Sequence, residues 1–157
     1  MNTNTSKSIS STNTSSQKQV KPKGPVENNP FCLKKELSYF LHDLVNKKGF
    51  PKESLVYKPA GIKKTTWSNI YSGLVCPDPL TSRQLVIGLR CTVTEATEVL
   101  KKCGYCWTNS SFDKCIKDCL RLGIYTWSNE KPGNDVISYI FKHAPEWLDG
   151  RYRKLAA

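Results

Sequence analysis

Lys63, Lys64, Thr65, Ser68 and Asn69 are the side chains whose types and spacing best suit chemistry, and that chemistry is hydrogen bonding. They lie between Gly61 and Gly73, in a stretch where apolar Ile62, Trp67 and Ile70 recur at helical spacing. A helix seated on those anchors, with Leu55 from the preceding segment sharing the core, leaves the five polar residues facing outward. An Asn amide can pair bidentately with adenine, a Lys ammonium can donate to guanine, and a Thr methyl can meet a thymine methyl. Lys63 and the backbone amides near helix starts would add contacts to phosphate. A basic helix held clear of a compact helical body is how a protein enters a major groove. The expected partner is therefore double-stranded DNA.

The flanking elements must hold that helix in place. Residues 1–30 are almost wholly polar and read as a disordered tail, with Lys18, Lys21 and Lys23 near its end. From Phe31 the pattern changes. Leu33, Leu37, Phe40, Leu41, Leu44 and Val45 follow an amphipathic helical stripe that stops at Gly49. Pro51 sits where the first turn of a second helix would fall, and Pro59 should shorten that helix because it lacks an amide donor. After a loop marked by Pro77 and Pro79, Thr81 to Gln84 reads as a capping box opening a fourth helix, and Thr92 to Glu95 as another opening a fifth. Residues 31–105 thus read as one five-helix domain. Residues 106–157 read as a helical extension, with a sixth helix from Ser110 and a seventh capped by Asn134. Its aromatics (Tyr125, Trp127, Tyr139, Phe141 and Trp147) suit either a second small core or a dimer or partner surface.

Charge points the same way. The 157-residue chain has 24 Lys and Arg against 13 Asp and Glu, a formal charge of +11, which suits an acidic partner. Residues 33–72 hold eight Lys and only Glu36, Asp43 and Glu53 as acids. No apolar run approaches the roughly 18 residues of a membrane span. The N-terminus also lacks the apolar core of a signal peptide, so a cytoplasmic protein is expected.

The seven cysteines, an odd number without an export signal, argue against a disulfide framework and for reduced, mostly buried thiols. Cys103, Cys106, Cys115 and Cys119 have ligand-like pairing for a tetrahedral zinc site. Three of them fall on positions the helical pattern already assigns to the core, which favours a thiol-lined apolar seam; no cofactor is expected. Catalysis has little to work with. His42 and Asp43 diverge by roughly 100° around a helix, His143 stands apart, and no Gly-rich phosphate loop is present.

Residues 33–105 resemble the Xre/Cro, phage-repressor-like helix-turn-helix family. The resemblance rests on Leu55-Val56, Ala60-Gly61-Ile62, Thr65-Thr66-Trp67-Ser68-Asn69-Ile70, Gly73 and Pro77, with Leu85 to Leu89 and Thr92 to Leu100 matching two closing helices. It implies an all-α fold in which Gly61 makes the turn and Ile62, Trp67 and Ile70 anchor the recognition helix, residues 64–72. By the same resemblance Lys64, Thr65, Ser68 and Asn69 would meet base edges, and Lys52 and Lys63 would meet phosphates. The implied function is a sequence-specific transcriptional regulator, a repressor, binding as a homodimer through residues 106–150. Val56 stands where the family carries Ala, Pro59 interrupts the usual helix, and Lys63 takes a cap position usually held by Ser or Thr. Those departures keep open a second class: a protein-interaction module (adaptor, antitoxin or phage-encoded inhibitor) reusing the same fold.

Overall fold

The computed structural model describes residues 29–131 and 133–148. The tail expected over 1–30 falls outside the described residues except for Asn29 and Pro30, as do Arg151, Arg153 and Lys154. Among the described residues the chain is all-α, with seven helices, one 3₁₀ turn at Pro145–Trp147 and no strand. No helix among them is long and apolar enough to cross a membrane.

Helix α1 (Lys34–Lys48) buries Leu37, Leu41, Leu44 and Val45, with Glu36 in its first turn and Lys47 and Lys48 in its last, both favourable to the helix dipole. Leu33, expected on the buried stripe, is instead the residue just before the helix and stays exposed. Helix α2 (Ser54–Tyr57) is a single turn, and Pro51 lies ahead of it rather than in its first turn. Helical bonding runs on from the Lys58 amide to Ser54 and from the Ala60 amide to Val56, skipping Pro59, which has no donor. Gly61 then adopts φ +74°, so its own amide reaches the Lys58 carbonyl and the Ile62 amide reaches Tyr57. This left-handed closure is one that a side chain at Gly61 would strain. Helix α3 (Lys64–Tyr71) follows at once.

Helix α4 (Pro79–Gly88) starts earlier than expected. The Asp78 carboxylate accepts the Thr81 amide at 2.7 Å, and Pro79 supplies a first-turn φ already suited to a helix, so the anticipated Thr81–Gln84 box is interior and buried. Helix α5 (Val93–Cys103) does open with the expected reciprocal box between Thr92 and Glu95. Helix α6 (Ser111–Leu122) opens with the Ser110 hydroxyl accepting the Asp113 amide. Helix α7 (Val136–His143) is preceded by Asp135 rather than capped by Asn134. The Asp135 carboxylate turns away from the helix to accept the Asn129 and Gly133 amides, closing the preceding loop.

Helix α1 lies against α3 and α5, α2 against α3 and α4, and α4 against α5 and α6, while α6 carries α7. The α2–α4 crossing is set by Gly88: a Cβ there would stand 2.4 Å from the Val56 carbonyl oxygen and 2.6 Å from the Ala60 Cβ. Val56 is therefore the buried residue of α2, and Leu55, expected in the core, is 41% exposed on the far side of the turn. The close approach of α2 to α4 is thus supplied by Gly88 on α4. One apolar cluster runs continuously from α1 to α7, taking in Cys91, Cys103, Cys115 and Cys119.

The expectation that every cysteine is reduced is overturned at one pair. Cys32 and Cys76, 44 residues apart, form a disulfide that ties the entry to α1 to the loop after α3. The same entry is held by the Leu33 amide on the Lys102 carbonyl (2.9 Å) and the Asn29 side chain on the Cys103 carbonyl (2.9 Å).

Candidate nucleic-acid interface

Helix α3 divides cleanly. Trp67 (1% exposed), Ile70 and, just before the helix, Ile62 are buried, whereas Lys63, Lys64, Thr65, Ser68 and Asn69 are exposed. Lys52 is exposed as well, and its neighbour Glu53 accepts the Trp67 indole N–H at 2.7 Å, which brings the start of α2 against the middle of α3. Lys52 and the outward residues of α3 are thus all open to solvent, while the link between their elements runs through the buried Trp67.

An aromatic stack fixes the inner side of the helix. The Tyr71 ring lies 4.6 Å from Trp67 and 3.7 Å from His42 of α1, nearly parallel to the latter at 8°. The Ser38 hydroxyl donates to the Tyr71 carbonyl, and the His42 Nδ1 sits 2.7 Å from the Ser38 carbonyl. Burial, with the nearby Glu53 charge, pushes the Tyr71 phenol above its ordinary value, so it stays neutral at ordinary pH. At the exit, the Leu74 amide reaches the Asn69 carbonyl at 2.9 Å. The entrance is less secured: Lys63 is the N-cap residue and its side chain makes no capping bond.

The turn between α2 and α3 is contacted on one side by the C-terminal extension, although Gly61 itself stays exposed. The Trp127 amide donates to the Pro59 carbonyl at 2.7 Å, and the Trp127 side chain packs where a Gly61 Cβ would lie 3.4–3.5 Å away. The C-terminal extension therefore touches the turn and leaves the outward face of α3 exposed.

A buried ion pair fastens the extension. Arg83 Nε and Nη2 donate to Asp113 Oδ1 and Oδ2 at 3.1 and 3.0 Å, with side chains only 7% and 2% exposed. The Thr108 amide and hydroxyl also donate to Asp113, and Arg83 reaches the Cys106 and Pro79 carbonyls. Burial alone would raise the Asp113 carboxyl, but the bonds from Arg83 and Thr108 outweigh it and hold it below the usual range.

The cysteine quartet weighed for zinc is not gathered into one cluster among the described residues. Cys103, Cys115 and Cys119 are buried in the apolar cluster and Cys106 is exposed, and no group of His, Cys, Asp or Glu among the described residues could hold a metal ion. Burial pushes the Cys103 and Cys119 thiols up to about 12, so both are neutral thiols in the apolar cluster.

Sequence reasoning missed Glu53, Ser38 and His42 as supports of α3, and Trp127, Arg83 and Asp113 as the links to the extension. Only Glu53 carried a local signal, as the one acid beside Lys52. Comparison of the chain with models of protein families, with curated proteins and with solved structures gave no match.

Proposed function

We propose that residues 31–105 are a five-helix, repressor-like helix-turn-helix domain that reads double-stranded DNA by inserting helix 64–72 in the major groove. The observation that carries this reading is the division of α3: three apolar anchors seated in the body, and a lysine, hydroxyl and amide face left to solvent. Lys64, Thr65, Ser68 and Asn69 meet base edges, while Lys52 and Lys63 meet phosphates. The protein acts as a cytoplasmic transcriptional regulator, a repressor, and its homodimer is assembled through residues 106–150. Exposed Phe141 and Trp147 on that extension support such a contact.

The test is selection of bound duplexes from a random pool, followed by titration of variants on the enriched site. Lys64→Ala and Asn69→Ala should each relax discrimination at one base position by about 1–3 kcal/mol. Lys52→Ala should weaken binding evenly across sequences and lower the slope of log affinity against log salt by about one. An unenriched pool, with variants indistinguishable from the parent in gel shift, refutes the reading.

A second reading, a protein-interaction module, is favoured by two exposed leucines on either side of α3 in the chain, Leu55 and Leu74. Loss of heparin and random-DNA retention already at low salt, with capture of a protein partner that Leu74→Ser abolishes, would favour it.

A further inference from the structure

We infer that residues 124–131 and 133–137 form a brace that sets the pose of α3, with Trp127 a positioning residue for the base-reading face; this rests on the DNA-binding reading above. Helix α2 cannot fix that pose by itself, because it is one turn long and Pro59 deletes a hydrogen bond from its continuation. Glu53, His42 and Ser38 hold the body of α3 from inside the five-helix unit, but the restraint on the turn before it comes from outside that unit. The Trp127 amide holds the Pro59 carbonyl, and its indole lies over Gly61, two residues before the Lys63 cap of α3.

The brace is itself anchored at both ends. Upstream, the Ile124 amide bonds the Cys119 carbonyl at the end of α6, and α6 is locked to α4 by Arg83 and Asp113. Downstream, the Val136 and Ile137 amides of α7 bond the Thr126 and Trp127 carbonyls. Gln84 of α4 lies on the other side of Gly61, its Nε2 3.3 Å from where a Cβ would stand. Contacts thus run in a ring from α4 through α6 and Trp127 to the α2–α3 turn and back to α4. The Trp127 indole N–H is buried with no hydrogen-bond partner among the described residues, so the residue is held by its ring and main chain, not its polar atom.

The experiment compares the full chain with Trp127→Ala and Trp127→Phe. Hydrogen exchange in peptides covering 58–66 should quicken about tenfold or more in the alanine variant while α5 is unchanged. Its affinity ratio for the selected duplex over a random duplex should fall about tenfold. Affinity for the random duplex itself, which depends on phosphate contacts, should hold. Trp127→Phe keeps a ring over Gly61 and should retain parental behaviour in both measurements; if the alanine variant does not fold, Trp127→Leu takes its place. Unchanged exchange over 58–66 overturns the brace. Faster exchange with an unchanged duplex ratio overturns its role in positioning α3. A parent chain that prefers no duplex refutes the DNA reading instead, and the exchange measurement then decides the brace alone.

Discussion

Removing the Asp113 carboxylate should cost more than any single surface contact in this protein. In Asp113→Ala the Arg83 guanidinium keeps its bonds to the Pro79 and Cys106 carbonyls but loses both carboxylate oxygens, leaving Nε without its acceptor. The Thr108 amide and hydroxyl lose their acceptor too, but Thr108 is exposed and its hydroxyl keeps Ser110, so Arg83 carries the larger part of the cost. Stranding buried donors costs about 1–3 kcal/mol each, and breaking one side of a buried ion pair typically costs roughly 3–5 kcal/mol in all. A loss near the middle of that range would be a large share of the total stability of a domain this size.

Urea denaturation at neutral pH, followed by tryptophan fluorescence, measures it directly. The midpoint should fall with little change in slope. The double variant Arg83→Met/Asp113→Leu should recover part of the loss, since it no longer orphans a buried charge, although the Pro79 and Cys106 carbonyls and the Thr108 amide lose their bonds to the pair. The pH dependence has a definite sign. Asp113 has a depressed folded-state pKa, so its contribution is complete above the ordinary value of 3.8 and disappears as pH falls through the lower folded value. An Asp113→Ala cost below about 1 kcal/mol, or a double variant as unstable as the single one, would refute the account of this pair.

Gly88→Ala should destabilise by about 1–3 kcal/mol or more in the same assay, because its methyl would meet the Val56 carbonyl and Ala60, neither of which can swing away. An unchanged midpoint would mean that α2 and α4 are not held this close. Glu95 is held at about 2: burial raises it, but the bonds from Lys48, the Thr92 amide and Lys47 outweigh that, so its stabilisation should vanish as pH falls from about 4.5 to about 2. Glu95→Gln should flatten the acid limb of the stability curve in that window. Lys63→Asp should raise stability by about 1 kcal/mol by capping α3, while weakening affinity for any duplex; a cost in stability would contradict the uncapped entrance.

The parts of the fold legible in the sequence were those decided within one helical turn. The stripe of α1, the Thr92–Glu95 box and the Ser110 cap all depend on residues three or four positions apart, and α3 divides into buried and exposed sides by the same periodicity. What was misread was decided from afar. Leu55 and Val56 are adjacent and both apolar, and Gly88 on another helix determines which is buried. Asp78 and Thr81 are both good caps, and Pro79 between them tips the start toward Asp78. The Cys32–Cys76 bond and the Arg83–Asp113 pair span 44 and 30 residues, and no local pattern marks either. Asp113 even carries a local disguise: its amide completes the Ser110 cap while its carboxylate does separate work on Arg83.

The candidate interface shares this dependence on distant partners. Helix α3 has eight residues, no side-chain cap at its start and a one-turn predecessor, so by itself it lacks the length at which a helix persists in water. Its position is supplied from four directions: Glu53 on the Trp67 indole, His42 and Ser38 on Tyr71, Leu74 on the Asn69 carbonyl, and Trp127 on the turn before it. Each of these acts on the inner side or an end of the helix, and none occupies the outward face. Support drawn wholly from behind suits the recognition role proposed for this helix, because a partner on the exposed side would compete with a duplex for the same donors. The poor self-sufficiency of α3 and the openness of its polar face therefore have one physical origin: interactions that would stabilise the helix from the front have been placed behind it.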